Sequence, residues 1–254
     1  MSEELDIIYR DEFFIAINKP SGLLVHRSAI DRHETRFAMQ LLRDQIGQHV
    51  FPLHRLDKPT SGVLLFGLST EAAQRAGDII SKHQNQKSYL AIVRGIVPEH
   101  SLVDHPLTEE IDKYTDAKAN IKPAQKALTQ FTKLAEVTLP FCVDKYPESR
   151  YSLVKCEPQT GRKHQIRRHL KHISHPIIGD AKHGKGNHNR FFQQQFHSHR
   201  LLLHAAELGF THPFTQQRLN IYATVDDVFL NLLTTFNWLD KIPHHLLPSK
   251  PYAT

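Results

Sequence analysis

The chain has 254 residues, 40% hydrophobic and 23% charged, the balance of an ordinary folded protein and not of a disordered one. Its longest apolar runs are about five or six residues, as in Gly62-Val63-Leu64-Leu65-Phe66-Gly67, far below the roughly 20 residues of a membrane-spanning helix. Two cysteines, Cys142 and Cys156, are too few for a disulfide framework or a cysteine-rich zinc site, and a net charge of +6 points weakly to an acidic partner.

The start, Met1-Ser2-Glu3-Glu4-Leu5-Asp6, lacks the basic and apolar regions of a signal peptide, so a cytoplasmic location is expected. No repeat or Ser/Gly/Pro-rich linker divides the chain, and one domain over residues 1–254 is expected. Residues 5–9 and 13–17 are β-rich runs that read as a hairpin, followed by the turn Lys19-Pro20-Ser21-Gly22 and a strand over 23–26. Gly62-Val63-Leu64-Leu65-Phe66-Gly67 is a glycine-bounded apolar run, the pattern of a buried central strand. Ser69 or Thr70 caps a helix running to about residue 82. Tyr89-Leu90-Ala91-Ile92-Val93 is a strand stopped by Gly95, and residues 98–123 read as long loops with an irregular hairpin.

Further strands are expected over 128–137, 151–156, 200–204 and 219–225. Between them Thr160-Gly161 opens a helix with Ile166, Leu170 and Ile173 on one face, and Val228, Phe229, Leu232, Leu233 and Phe236 mark a last amphipathic helix. Roughly eight or more strands and three helices do not alternate regularly, so the fold class is α+β, not a doubly wound parallel sheet.

Charge is unevenly distributed. Residues 161–204 hold nine Lys/Arg and nine histidines against one acid, Asp180. Such a stretch either lies solvated or faces a polyanion, of which a nucleic-acid backbone is the commonest. No phosphate-binding glycine loop, dinucleotide fingerprint, HExxH or GxSxG pattern occurs, and the histidines lack Cys or carboxylate companions at ligand spacing, so neither metal nor cofactor is expected.

Three segments carry candidate chemistry. His54-Arg55-Leu56-Asp57-Lys58-Pro59-Thr60-Ser61-Gly62 places Asp57 between two cations at the mouth of a buried strand; it could serve as nucleophile or base, or could merely cap the turn. In Gly161-Arg162-Lys163-His164-Gln165-Ile166-Arg167-Arg168, core-facing Ile166 puts Arg167 at the core edge, where a guanidinium needs an anionic partner; Asp57 is a candidate. Tyr89 opens a buried strand, a position that suits core packing and equally a ring stacking on a nucleobase.

Together these segments, with Asn18-Lys19-Pro20-Ser21-Gly22, His175-Pro176-Ile177-Ile178-Gly179-Asp180 and Arg200-Leu201-Leu202-Leu203-His204-Ala205, closely resemble the RluA-type pseudouridine synthases. The resemblance spans roughly residues 5–225, and the HRLD and GRxHQIR pair is very specific. It implies a mixed, mainly antiparallel sheet with an RNA cleft across its middle. It also implies isomerisation of uridine to pseudouridine in RNA without cofactor or metal. Because the pattern begins by residue 5, the N-terminal S4 domain of many relatives is expected to be missing.

Asp57 matches the family's catalytic aspartate, which either attacks sugar or base or assists glycosidic cleavage. Tyr89 matches the tyrosine that stacks on the base, and Arg167 the arginine that pairs with the aspartate. Arg55 matches the residue proposed to fill the stack vacated by a flipped nucleotide, and Ile166 one that packs beside the base. His54, Arg162, Lys163, His164 and Arg168 complete the expected RNA-binding set. Leu24-Val25-His26-Arg27-Ser28 with Arg43-Asp44-Gln45-Ile46-Gly47-Gln48-His49-Val50 looks most like the branch that modifies uridine 65 of tRNA. An rRNA substrate and a non-catalytic RNA-binding role on the same fold are the alternatives; a monomer that binds neither DNA nor membrane is expected.

Overall fold

The computed structural model describes residues 4–27, 34–81, 85–109 and 123–249. β1 (Ile7–Arg10) and β2 (Phe14–Lys19) form the expected hairpin, and the Asp11 carboxylate closes its turn by accepting from the backbone N–H groups of Phe13 and Phe14. α1 (Ala38–Ile46), the short β3 (Phe51–Pro52), β4 (Ser61–Gly67) and α2 (Thr70–Ser81) come next. Ser69 caps α2, its hydroxyl accepting from the Ala72 N–H. β5 (Asn85–Arg94), β6 (His100–Asp104), β7 (Leu128–Leu139) and β8 (Ser149–Pro158) follow. The chain then forms α3 (Gln165–His172), α4 (Gly186–Phe196), β9 (Leu203–Thr211), β10 (Arg218–Tyr222) and α5 (Asp227–Thr235).

The strands make one sheet in the order β1-β2-β4-β9-β5-β8-β7-β6, with β3 also on β4 and β10 also on β9. The fold is α+β, mixed and mostly antiparallel, as the sequence implied. The parallel pair, β4 with β9, is registered through Ser61↔His204 and Gly62↔Ala205. β4 is buried throughout and apolar from Val63 to Phe66 because both its faces are covered. Leu64 and Phe66 pack with Ile15, Ile17 and Leu42 toward α1. Their neighbours Val63 and Leu65 pack with Phe14, Ala72, Ala76 and Phe210 toward α2. A third, larger cluster lies between β5, β8, α3, α4 and α5, built on Leu90, Val154, Leu170, Phe192 and Phe229.

Several expectations need correction. Residues 23–26 form no strand; Leu24 makes an isolated bridge to Phe37 beside a turn held by the Lys19-Pro20-Ser21-Gly22 segment. The helix expected from Thr160 starts at Gln165, since His164 has left-handed φ, +56°, which keeps residues 161–164 out of the helix. Within the long loops and irregular hairpin expected over 98–123, His100–Asp104 is a strand whose antiparallel partner is β7, beginning beyond that range at Leu128, and residues 110–122 lie outside the described residues. β9 begins at Leu203 and not at Arg200, and α4, beginning at Gly186, is a helix that was not expected. Among the described residues there are five α-helices where three were expected. None is long and apolar enough to cross a membrane.

Candidate active site

One row of residues crosses the sheet centre: Gly62 faces Ala205, Ala205 faces Tyr89, and Tyr89 faces Cys156. At Gly62 the two backbones touch. An added Cβ there would lie 2.1 Å from the Ala205 carbonyl oxygen, and φ is +109°, so a glycine is required. The loop 54–60 enters β4 just before this contact, and the β5–β9 ladder shifts register beside it, where the single step from Ser88 to Tyr89 spans two residues of β9, from Glu207 to Ala205. Tyr89 packs against two of the three apolar clusters, at the seam between them.

Above the seam opens a cleft of about 590 Å³ lined by Arg55, Asp57, Tyr89, His164, Ile166 and Arg167, among others. Asp57 does not cap its own turn with its side chain. Its backbone carbonyl accepts from the Thr60 N–H, and its carboxylate accepts from Arg167 Nη1 at 2.9 Å. The other two guanidinium nitrogens of Arg167 bind Asp180, Nε to Oδ2 at 2.7 Å and Nη2 to Oδ1 at 2.9 Å. Burial opposes the charge on Arg167, but the two carboxylates outweigh it, Asp180 foremost, and push its pKa further up.

The two carboxylates differ in what remains open. The Asp180 side chain is 0% exposed, and its Oδ1 also accepts from the Lys182 and His183 backbone N–H groups, both at 2.9 Å. Although burial works to raise its pKa, Arg167 and those N–H groups hold it below the usual carboxylate range. The Asp57 side chain is 29% exposed. Asp57 is the carboxylate with a face left for a substrate.

Behind the loop, buried Lys19 donates to the carbonyls of Pro20 and Leu23 at 2.8 Å and of Lys58 at 3.2 Å, and Ser21 donates to the Pro59 carbonyl. Burial first and Arg200 second push the Lys19 pKa down to about 7, against the opposing pull of Asp57. Lys58 turns from Asp57 to an ion pair with Glu34 at 2.6 Å. Burial, with Asp57 and Cys156 nearby, raises the Tyr89 pKa above its ordinary value, which keeps the hydroxyl a donor at neutral pH.

The expected RNA-binding residues divide by location. Arg55 is exposed at the cleft wall, Ile166 is buried in it, and Arg162 lines it while donating to the Lys126 carbonyl. His164 Nε2 stands 3.8 Å from Asp57 Oδ2. His54 lines the cleft but uses Nε2 to accept from the Leu65 N–H. Burial and the Lys87 charge lower its pKa to about 3, so it is neutral. Lys163 is exposed outside the cleft lining, and Arg168 donates to the Thr108 carbonyl. Asp180, Lys19 and the cleft-lining Lys87 were not anticipated as site residues. Asp180 had one available signal, being the lone acid in a basic stretch. The buried Ser61–His204 contact, Oγ to Nδ1 at 2.8 Å, lies below the cleft and is closed by Arg200, which donates to the Ser61 hydroxyl.

Residues 13–172 match the family model described as RNA pseudouridylate synthase. The chain belongs to this family. It is therefore an RNA pseudouridine synthase. Among curated relatives it is 53% identical over 240 residues to tRNA pseudouridine synthase C of Vibrio parahaemolyticus serotype O3:K6, covering 94% of this chain and 98% of that protein. The protein of the same name from Pasteurella multocida is 54% identical over 235 residues, covering 92% and 97%. Among solved structures, human RNA Pseudouridylate Synthase Domain Containing 4 superposes with a TM-score of 0.68 at 25% identity, covering 91% of this chain and 93% of that one. Human RNA Pseudouridylate Synthase Domain Containing 1 gives the same TM-score at 24% identity and shares the fold.

Proposed function

We propose that this synthase isomerises uridine 65 of tRNA to pseudouridine, with Asp57 as the catalytic carboxylate. The observation that carries the reading is the Arg167 bridge, which saturates Asp180 and leaves Asp57 open to the cleft beside Tyr89. The tRNA substrate rests on the relatives above 50% identity named tRNA pseudouridine synthase C.

The isomerisation breaks the C1′–N1 bond and forms C1′–C5; the C5 proton leaves and N1 gains one. No electron or phosphoryl group is transferred, so one carboxylate, charge control and a site that limits water are sufficient chemistry. In this reading Asp57 acts at the glycosidic bond, the Tyr89 ring stacks on the uracil, and Ile166 packs beside it. Arg167 holds Asp57 at its working position. A uridine inside a stem reaches the cleft only by flipping, which costs a few kcal/mol of unstacking; in this reading the Arg55 guanidinium, exposed at the cleft wall, fills the gap.

Incubation with tRNA lacking the modification, followed by mapping of pseudouridine along the strand, tests the assignment. Conversion at position 65 supports it. Conversion in an rRNA fragment in preference to tRNA would replace the substrate.

A further inference from the structure

We propose that Lys87 receives the phosphodiester beside the target uridine, and that the groove opening past it takes the neighbouring nucleotide. The proposal rests on the reading of the cleft as the seat of the flipped uridine.

Lys87 lies on β5, two residues before Tyr89, and lines the catalytic cleft. It also lines a second cavity of about 390 Å³, and Pro158 and Thr160 are the other residues common to both. Lys87 thus stands where the two spaces meet. Its side chain is half-buried, no ion pair or hydrogen bond joins its ammonium to another described residue, and burial pushes its pKa down. A cation withdrawn from water without a partner is costly until an anion arrives. The neutral His54 beside it supplies no charge in return.

The second groove has different chemistry. The residues lining it include Gln86, Gln130 and Gln159, with Glu157 held by Lys155 at 2.9 Å and the Gln86 amide oxygen accepting from Arg218 at 3.2 Å. Side-chain amides both donate and accept, which suits base edges and 2′-hydroxyls. The Glu157 carboxylate disfavours a phosphate inside that groove. An anion therefore fits at Lys87 and a base beyond it. Two neighbouring nucleotides are joined by one phosphodiester, and the junction of the cavities holds one cation.

The test uses a synthetic tRNA fragment containing uridine 65, and the same fragment with a single neutral methylphosphonate on the 5′ or the 3′ side of that uridine. Affinity is measured in the Asp57→Asn background, with and without Lys87→Gln or Lys87→Arg, and turnover in the Asp57 enzyme. Loss of one phosphate contact predicts that Lys87→Gln weakens binding about tenfold and reduces the salt slope by about one, with kcat within about twofold. Lys87→Arg retains most of the affinity. One of the two methylphosphonates costs the Lys87 protein the same factor and costs the Lys87→Gln protein nothing more. A fall in kcat with unchanged affinity would overturn the proposal, as would methylphosphonates that weaken both proteins equally or neither. Because affinity is read without turnover, an enzyme that makes no pseudouridine would sink the proposed function and leave this cycle readable.

Discussion

Arg167 meets Asp180 as a two-point pair, with contacts of 2.7 and 2.9 Å, and the Asp180 side chain is closed from solvent. The third nitrogen is thereby aimed at Asp57. Asp180 does not itself line the cleft; it touches the lining residue Arg167 and acts through it as a positioning residue. Asp180→Asn leaves a buried guanidinium half-paired, and removing one partner of such a pair costs about 3–5 kcal/mol. Urea unfolding should show that loss, and kcat should fall about a hundredfold as Arg167 shifts, with KM changing little. Asp180→Glu should recover more kcat than stability; a variant that lost stability yet kept full kcat would refute the positioning role.

Gly62→Ala should be severe although it adds one methyl group. The new Cβ meets a backbone oxygen at 2.1 Å, where no side chain can give way, and φ of +109° is strained for alanine. Destabilisation of about 3 kcal/mol or more is expected by thermal or urea unfolding.

Arg55→Ala should discriminate between substrates. On folded tRNA the variant loses whatever part of the unstacking cost, a few kcal/mol, the guanidinium offsets; on an unstacked oligonucleotide nothing is there to offset. The ratio of kcat/KM between the two RNAs should therefore fall about tenfold or more. Equal losses on both would exclude a stack-filling role.

How much of this was legible in the sequence depended on how local each signal was. β4 announced itself through its glycine-bounded apolar run, and α2 through Ser69 and its alanine spacing. Helices α1 and α4 gave no such sign. Phe37 and Lys185 stand at their N-caps without a side-chain capping bond, and α4 carries Gly186, Asn187 and Asn189 in its first turns. The Asp57–Arg167 contact could be suspected because a guanidinium at a core edge needs an anion. Asp180 escaped because its approach to Arg167 depends on the turn through Gly179, where the chain passes hard against Arg200. Lys87 escaped because a polar residue in a strand reads as solvent-facing until the cavity beside it is seen.

Lys19 gives stability an upward slope with pH. Its folded-state pKa of about 7 lies below the ordinary lysine value near 10.4. Between those values the unfolded chain holds a proton that the folded chain does not, so stability rises as pH increases from about 7. Above about pH 9 the raised pKa values of Cys156 and the buried tyrosines work the other way. The measurement is therefore wild type against Lys19→Met between about pH 7 and about pH 9, and the variant should lose the upward component. Identical slopes would contradict a buried, proton-shedding Lys19.

The most direct test of the central claim uses tRNA carrying tritium at uracil C5. Forming the C1′–C5 bond expels that tritium to water, so its release reports the isomerisation itself. Wild-type enzyme should release tritium from position 65, and Asp57→Ala should release none while still binding the RNA. Release by Asp57→Ala at the wild-type rate would contradict the assignment of the carboxylate on which the account rests.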